Sequence, residues 1–166
     1  MSVKKIDFKT GETVVYPKHG VGEIIKIEAM EISSIKTMFY VVKMEQSKLT
    51  IRVPLDKKEE VGLRKISPKK IIDEVYAVLK LKPKIRRIMW SRRAQEYDAK
   101  IFSGDPLKIA EVVRDLFRKN SQSEQSYSER QMFQIAIERL AREVAAVEKT
   151  DYFQSTEKIE TILRNK

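Results

Sequence analysis

The sequence predicts an α+β protein: an antiparallel β-sheet or small barrel over the first 66 residues, followed by a compact five-helix domain. Three observations predict it. β-branched and aromatic runs separated by short polar turns fill residues 12–65. Apolar residues spaced three and four apart dominate from residue 67. Ser67-Pro68, a helix-start pair, marks the change. The chain therefore divides into domains 1–66 and 67–166.

In the first domain, Thr13-Val14-Val15-Tyr16 is a strand stopped by Pro17. Val21–Met30 (VGEIIKIEAM) is a second, with Val21, Glu23, Ile25 and Ile27 alternating against Gly22, Ile24, Lys26 and Glu28. Thr37–Met44 and Leu49–Val53 supply a third and fourth, and Val61–Ile66 a short fifth. Connections as short as Glu45–Lys48 imply antiparallel neighbours and a curled sheet with at least one exposed edge.

In the second domain, Ser67 is read as an N-cap with Pro68 in the first helical position. Ile71, Ile72, Val75, Val78 and Leu79 follow on one face. Ser103-Gly104 ends a helix carrying Tyr97 and Ile101. Asp105-Pro106 opens the next, with Ile109, Val112, Val113, Leu116 and Phe117 inward. Ser121–Ser126 is a polar loop. Ser128 and Gln131 resemble a capping box ahead of a long helix carrying Phe133, Ile137, Leu140, Ala141, Val144 and Val147. A short last helix holds Ile159, Ile162 and Leu163.

Composition narrows function. The 166 residues hold 34 Lys and Arg against 24 Asp and Glu, a net charge of +10. Cys is absent and His19 is the only histidine. Disulfides, thiolate nucleophiles and Cys-ligated metals are excluded, and histidine triads and multi-histidine metal sites lose their raw material. His19 lies in Tyr16-Pro17-Lys18-His19-Gly20 and reads as a turn residue. Gly20-x-Gly22 lacks the strand-to-helix context of a phosphate loop, and Asp56, Glu59 and Glu60 are interleaved with Lys57 and Lys58 as in a solvated turn. The chain reads as a non-enzyme without metal or cofactor. No apolar run approaches the ~20 residues of a membrane span, and the start carries no signal-peptide pattern. The expectation is an intracellular, cytoplasmic protein with a polyanionic partner and no membrane contact.

The charge has a focus. Lys80–Arg93 (KLKPKIRRIMWSRR) contains seven basic residues (Lys80, Lys82, Lys84, Arg86, Arg87, Arg92, Arg93) and no acidic one. Trp90, the only tryptophan, sits between two Arg pairs, with Ser91 read as the N-cap of the next helix and Trp90 just outside it. A flat apolar ring flanked by phosphate-binding arms is the chemistry of a wedge that stacks on, or inserts between, bases. The same residues also suit an indole packed between helices beside a solvated basic face; spacing leaves both open. Arg52, between Ile51 and Val53 in an otherwise apolar strand, shares a face with Thr50. It is either a solvent-facing residue or an anchor for a partner on the sheet edge.

With these residues in view, the chain resembles CarD/CdnL-type bacterial transcription regulators over nearly its whole length. The marks are Gly11-Glu12-x-Val14-Val15-Tyr16-Pro17-x-His19-Gly20-x-Gly22, Leu49-Thr50-Ile51-Arg52-Val53-Pro54, Trp90-Ser91-Arg92-Arg93, Ser103-Gly104-Asp105 and Ala110–Leu116 (AEVVRDL). The resemblance implies a Tudor-like N-terminal domain that docks on the lobe of the RNA polymerase β subunit. It further implies a helical C-terminal domain whose Trp enters the minor groove of promoter DNA at the upstream edge of the melted region, holding the open complex. Carried over by motif, Trp90 is the wedge, Arg92 and Arg93 contact the DNA backbone, and Arg130 matches a further basic DNA-facing position. Arg52 matches a polymerase-contacting Arg within Thr50-Ile51-Arg52-Val53-Pro54. A second polymerase-contacting basic position falls on Met30 or its neighbours, a departure from the family pattern. Lys84, Arg86 and Arg87 enter the DNA-facing set on charge alone. The implied protein is nucleoid-associated and monomeric when bound. The alternative is a general RNA- or ribosome-binding basic protein using the same segment.

Overall fold

A computed structural model describes residues 7–118 and 125–166, in two compact units divided between Ile66 and Ser67. The first unit holds strands β1 (Thr13–Tyr16), β2 (Gly20–Ile32), β3 (Ile35–Met44), β4 (Thr50–Pro54) and β5 (Arg64–Lys65). All pair antiparallel, in the order β4-β3-β2-β1-β5, so β4 and β5 are open edges. The fifth strand is shorter than its sequence run. Lys58–Val61 forms a single helical turn, α1, closed by Gly62 at φ 76°, and only Arg64–Lys65 pairs with β1.

The long β2–β3 hairpin corrects the expected alternation. Its register shifts between Ile24 and Lys26, leaving Ile25 unpaired in a β-bulge and 40% exposed. The shift lets Ile24 and Ile27 both meet the core, although their spacing of three breaks period two. The hairpin closes on Ser33 and Ser34, both at positive φ (51° and 65°), the backbone of a two-residue primed turn. Gly22, between Val14 and Met44, cannot be larger: a Cβ there would lie 2.8 Å from Val42 Cγ1 and 3.0 Å from Lys43 O. The core beneath is built on Tyr40, Ile24, Met44, Val14 and Phe8, and Tyr40 accepts the Asp7 amide at 2.9 Å.

The second unit holds α2 (Lys69–Lys80), α3 (Trp90–Phe102), α4 (Pro106–Leu116), α5 (Tyr127–Glu148) and α6 (Tyr152–Arg164). Their apolar faces meet in one cluster, with Ile72, Leu79, Ile101, Leu116, Ile137, Leu140, Ile159 and Leu163 buried. Asp105 caps α4 by accepting the Leu107 amide, with Pro106 first in the helix, and Gly104 turns the chain at φ 73°. Three expected caps move. Pro68, not Ser67, precedes α2; Ser67 instead donates its amide and hydroxyl to the buried Glu143 carboxylate at 2.9 and 2.7 Å. Ser126, not Ser128, caps α5, accepting from the Glu129 amide. Met89, not Ser91, precedes α3, so Trp90 is the first helical residue rather than the last outside it. Most of the expected polar loop Ser121–Ser126 lies outside the described residues.

Candidate nucleic-acid interface and sheet face

The basic segment is a connection, not a helix: after α2 ends at Lys80 the chain runs without regular structure until α3 begins at Trp90. Leu81, Pro83 and the alternating cations explain this, since Pro83 forbids continuation of α2 and like charges disfavour a tight turn. Lys166 Nζ ties the start of the connection, donating to the Leu81 carbonyl at 2.6 Å, and a further tie holds its middle. The Lys84 amide donates to Asp115 Oδ1 at 2.9 Å, and the same oxygen accepts Arg114 Nε at 2.8 Å. Arg114 and Asp115 are each only 5% exposed, so this tie has a rigid base on α4.

Trp90 begins α3 with no side chain capping the helix amides. Its indole is half-buried against the helical core, not sealed within it. The spacing of α3 then assembles a stack. Arg93, three residues on, brings its guanidinium 5.3 Å from the Trp90 ring centroid and 5.6 Å from that of Tyr97. Tyr97, seven residues on, is buried, lies 6.1 Å from Trp90 between ring centroids, and accepts from Arg93 Nη2 at 3.3 Å. Arg93 Nε is buried without a hydrogen-bond partner among the described residues. Arg93, carried over as a phosphate contact, also packs against the indole within the folded chain.

The other cations differ in freedom. Arg86 is paired with Glu96 at 2.6 Å, and Lys84, Arg87 and Arg92 are exposed. A concave pocket of about 240 Å³ between the connection, α3 and α4 is lined by Lys84, Arg86, Arg93 and Lys100, but also by Glu96, Glu111 and Asp115. Lys100 pairs with Glu111 at 2.9 Å, but with Arg114 also on the wall five cations face three carboxylates, so part of the excess positive charge lies in the pocket and the rest on the open connection. Arg130 is exposed near the start of α5 and donates to the Gln125 carbonyl at 3.1 Å, which ties it to its own helix start. No described contact links it to the Trp90 stack.

In the first unit, register decides which side chains share a face. Arg52 opposes Val41 and Thr50 opposes Lys43, while Ile51 and Val53 oppose Val42 and Tyr40 on the core side. Val53 is 2% exposed and Ile51 packs half-buried on the same core, while Thr50, Arg52 and Pro54 share the opposite face of the strand. Met30, opposite Thr37, falls on that outer face too and is 38% exposed. Arg52 donates to Glu28 Oε2 at 3.2 Å, and Lys26 stands 3.6 Å from the other oxygen. The Arg52 hydrogen bond chiefly holds the Glu28 carboxyl below its ordinary value, against an opposing effect of desolvation. Sequence reasoning missed Glu28, Tyr97 and Asp115. Tyr97 carried a local signal, its heptad spacing from Trp90, and Asp115 stood beside Arg114 in the AEVVRDL run.

Among the described residues, no group of three His, Cys, Asp or Glu side chains is placed to hold a metal ion, and no helix is long and apolar enough to cross a membrane. Two family models match: CarD-like/TRCF RID domain over residues 8–67 and CarD, C-terminal domain over residues 74–160. A candidate transcription factor of Bacillus subtilis (strain 168), YdeB, is 30% identical over 140 residues, covering 84% of this chain and 92% of its own. Among solved structures, CdnLNt from Myxococcus xanthus is 38% identical, spans 40% of this chain and 93% of its own, and has a TM-score of 0.32. With both units matched in order and the relative covered almost end to end, the chain belongs to the CarD/CdnL-type family of transcription regulators.

Proposed function

We propose that this regulator docks on the lobe of the RNA polymerase β subunit through the Arg52 face of a Tudor-like sheet, and that Trp90 wedges into the minor groove at the upstream edge of the promoter bubble. The observation that carries the reading is the braced, half-buried indole at the start of α3, inside a run of seven cations with no anion. Family membership supports the polymerase half. The Arg52–Glu28 pair is compatible with docking: both side chains are open to solvent, so a partner carboxylate can compete for the guanidinium.

The two contacts act together. Docking raises the local concentration of the helical unit near the promoter. Phosphate contacts from Lys84, Arg86, Arg87, Arg92, Arg93 and Arg130 orient it, and the wedge fits only distorted DNA. A ligand shifts an equilibrium by its differential affinity alone, so ~1.4 kcal/mol of preference for the open state raises the open-to-closed ratio tenfold. Minor-groove readout is degenerate, which makes the action broad across promoters rather than operator-specific. On this reading one chain serves each polymerase at the bacterial nucleoid.

Trp90→Ala should shorten open-complex lifetime while leaving β-subunit binding intact, and Arg52→Glu should abolish polymerase association. An unchanged lifetime with Trp90→Ala overturns the wedge. Preference for duplex RNA over forked promoter DNA across a salt series, with no polymerase capture, would favour a general RNA-binding role instead.

A further inference from the structure

Trp90 is not the most exposed apolar side chain at the start of α3. Met89, directly before it, is 76% exposed, whereas Trp90 rests on the helical core. The Met89 backbone is fixed: its carbonyl accepts the amides of both Arg92 and Arg93, each at 3.1 Å. An unbranched apolar chain therefore projects into solvent from a rigid point, contributing nothing to its own core. Its flanks are cationic, with Arg86 and Arg87 before it and Arg92 and Arg93 after, so the matching partner is a polyanion with an apolar interior.

We infer that Met89 is a second wedge residue, which enters the opened base step ahead of the indole while Trp90, backed by Arg93 and Tyr97, stacks on the exposed base. The inference rests on the DNA reading of the Trp90 site and adds to it a residue that the basic-and-aromatic pattern does not name. The chemistry fits: methionine is among the apolar side chains that unstack base steps from the minor groove, and its flexible, polarisable thioether adapts to an irregular gap beside a ring. Helix geometry makes the pair work. Met89 precedes the helix in non-helical backbone and stays in solvent while Trp90, the first helical residue, packs on the core, so the two are adjacent in the chain and differ in what they can reach.

The test uses the full chain with two DNAs carrying 2-aminopurine at the same step, one fully paired and one forked. Binding of the wild type to the fork should raise the fluorescence by unstacking. Met89→Ala should weaken binding to the fork about tenfold, the scale expected for losing about two buried methylene equivalents. It should leave paired-duplex affinity unchanged, and Met89→Leu should keep most of the effect. Equal losses on both DNAs would make Met89 a general contact and overturn the inference. Wild-type behaviour of Met89→Ala beside a clear loss in Trp90→Ala would overturn it too, leaving the indole wedge standing. No loss in either variant would remove the DNA reading and the inference together.

Discussion

Asp115 offers the sharpest test of how the basic connection is held. Its Oδ1 accepts Arg114 Nε at 2.8 Å and the Lys84 amide at 2.9 Å, and both side chains of the ion pair are 5% exposed. Asp115→Ala strands the Arg114 charge in a buried site and releases the amide. Removing one partner of a buried pair costs about 3–5 kcal/mol, most of it the penalty of the charge left behind. For a domain of about 100 residues each kcal/mol moves Tm by roughly 4–8 °C, so the helical unit should melt at least ~12 °C lower. The assay is urea and thermal unfolding followed by the fluorescence of Trp90, the only tryptophan. The double variant Arg114→Met with Asp115→Ala removes both charges and should be more stable than Asp115→Ala alone. As a control, breaking Arg86–Glu96, whose side chains are 64% and 45% exposed, should cost under ~1 kcal/mol. A loss below ~1 kcal/mol for Asp115→Ala would refute the reasoning, as would a double variant that loses the full sum of the two single changes.

Three further outcomes follow from the same geometry. Arg93→Ala removes the brace from the indole, so Trp90 emission should shift to the red and its quenching by acrylamide should rise; unchanged spectra would mean that the stack does not hold the ring. Arg52→Ala should return the Glu28 carboxyl, read by NMR, from its lowered position towards 4.5. Because the folded value is depressed, the pair's contribution is complete above the ordinary value and is lost as pH falls through the folded one; a Glu28 titration indifferent to Arg52 contradicts this. Gly22→Ala forces a Cβ to 2.8 Å from Val42 Cγ1 and 3.0 Å from the Lys43 carbonyl, and should destabilise the sheet unit by about 1–3 kcal/mol in denaturant unfolding.

Strand and helix identities were legible because burial imposes a period on them. The Val14–Tyr16 run and the Ile72, Val75, Leu79 spacing needed nothing beyond local pattern. The bulge at Ile25 was not legible: Ile24, Ile25 and Ile27 are chemically alike, and only packing under Tyr40 selects which two turn inward. The cap of α5 was ambiguous in kind. Ser126 with Glu129 and Ser128 with Gln131 both fit the pattern two residues apart, and the chain path fixed by Gln125 bonding the Leu116 carbonyl at 2.6 Å accompanies the earlier choice. At the site, reading Ser91 as the cap hid the stack, since only a helix beginning at Trp90 sets Arg93 and Tyr97 on its face. Asp115 stands in the AEVVRDL run beside its ion-pair partner Arg114, but its bond to the Lys84 amide, 31 residues away, had no local signal.

The half-buried state of Trp90 bears on what a wedge here can do. Stacking one base on an aromatic ring returns ~1–3 kcal/mol by truncation, while opening a base step costs roughly a few kcal/mol. The two nearly cancel, so one indole has little surplus with which to open paired DNA. It can hold a step that polymerase has already opened. A ring free to rotate would spend part of that small return on ordering itself; the Arg93 and Tyr97 contacts place this ordering in the folding of the protein instead. The same smallness makes a second attachment necessary, because a near-zero contact becomes effective only at high local concentration. In the mechanism proposed above, the braced indole on one unit and the exposed Arg52 on the other would be complementary requirements: the first would limit action to melted DNA, and the second would bring it there.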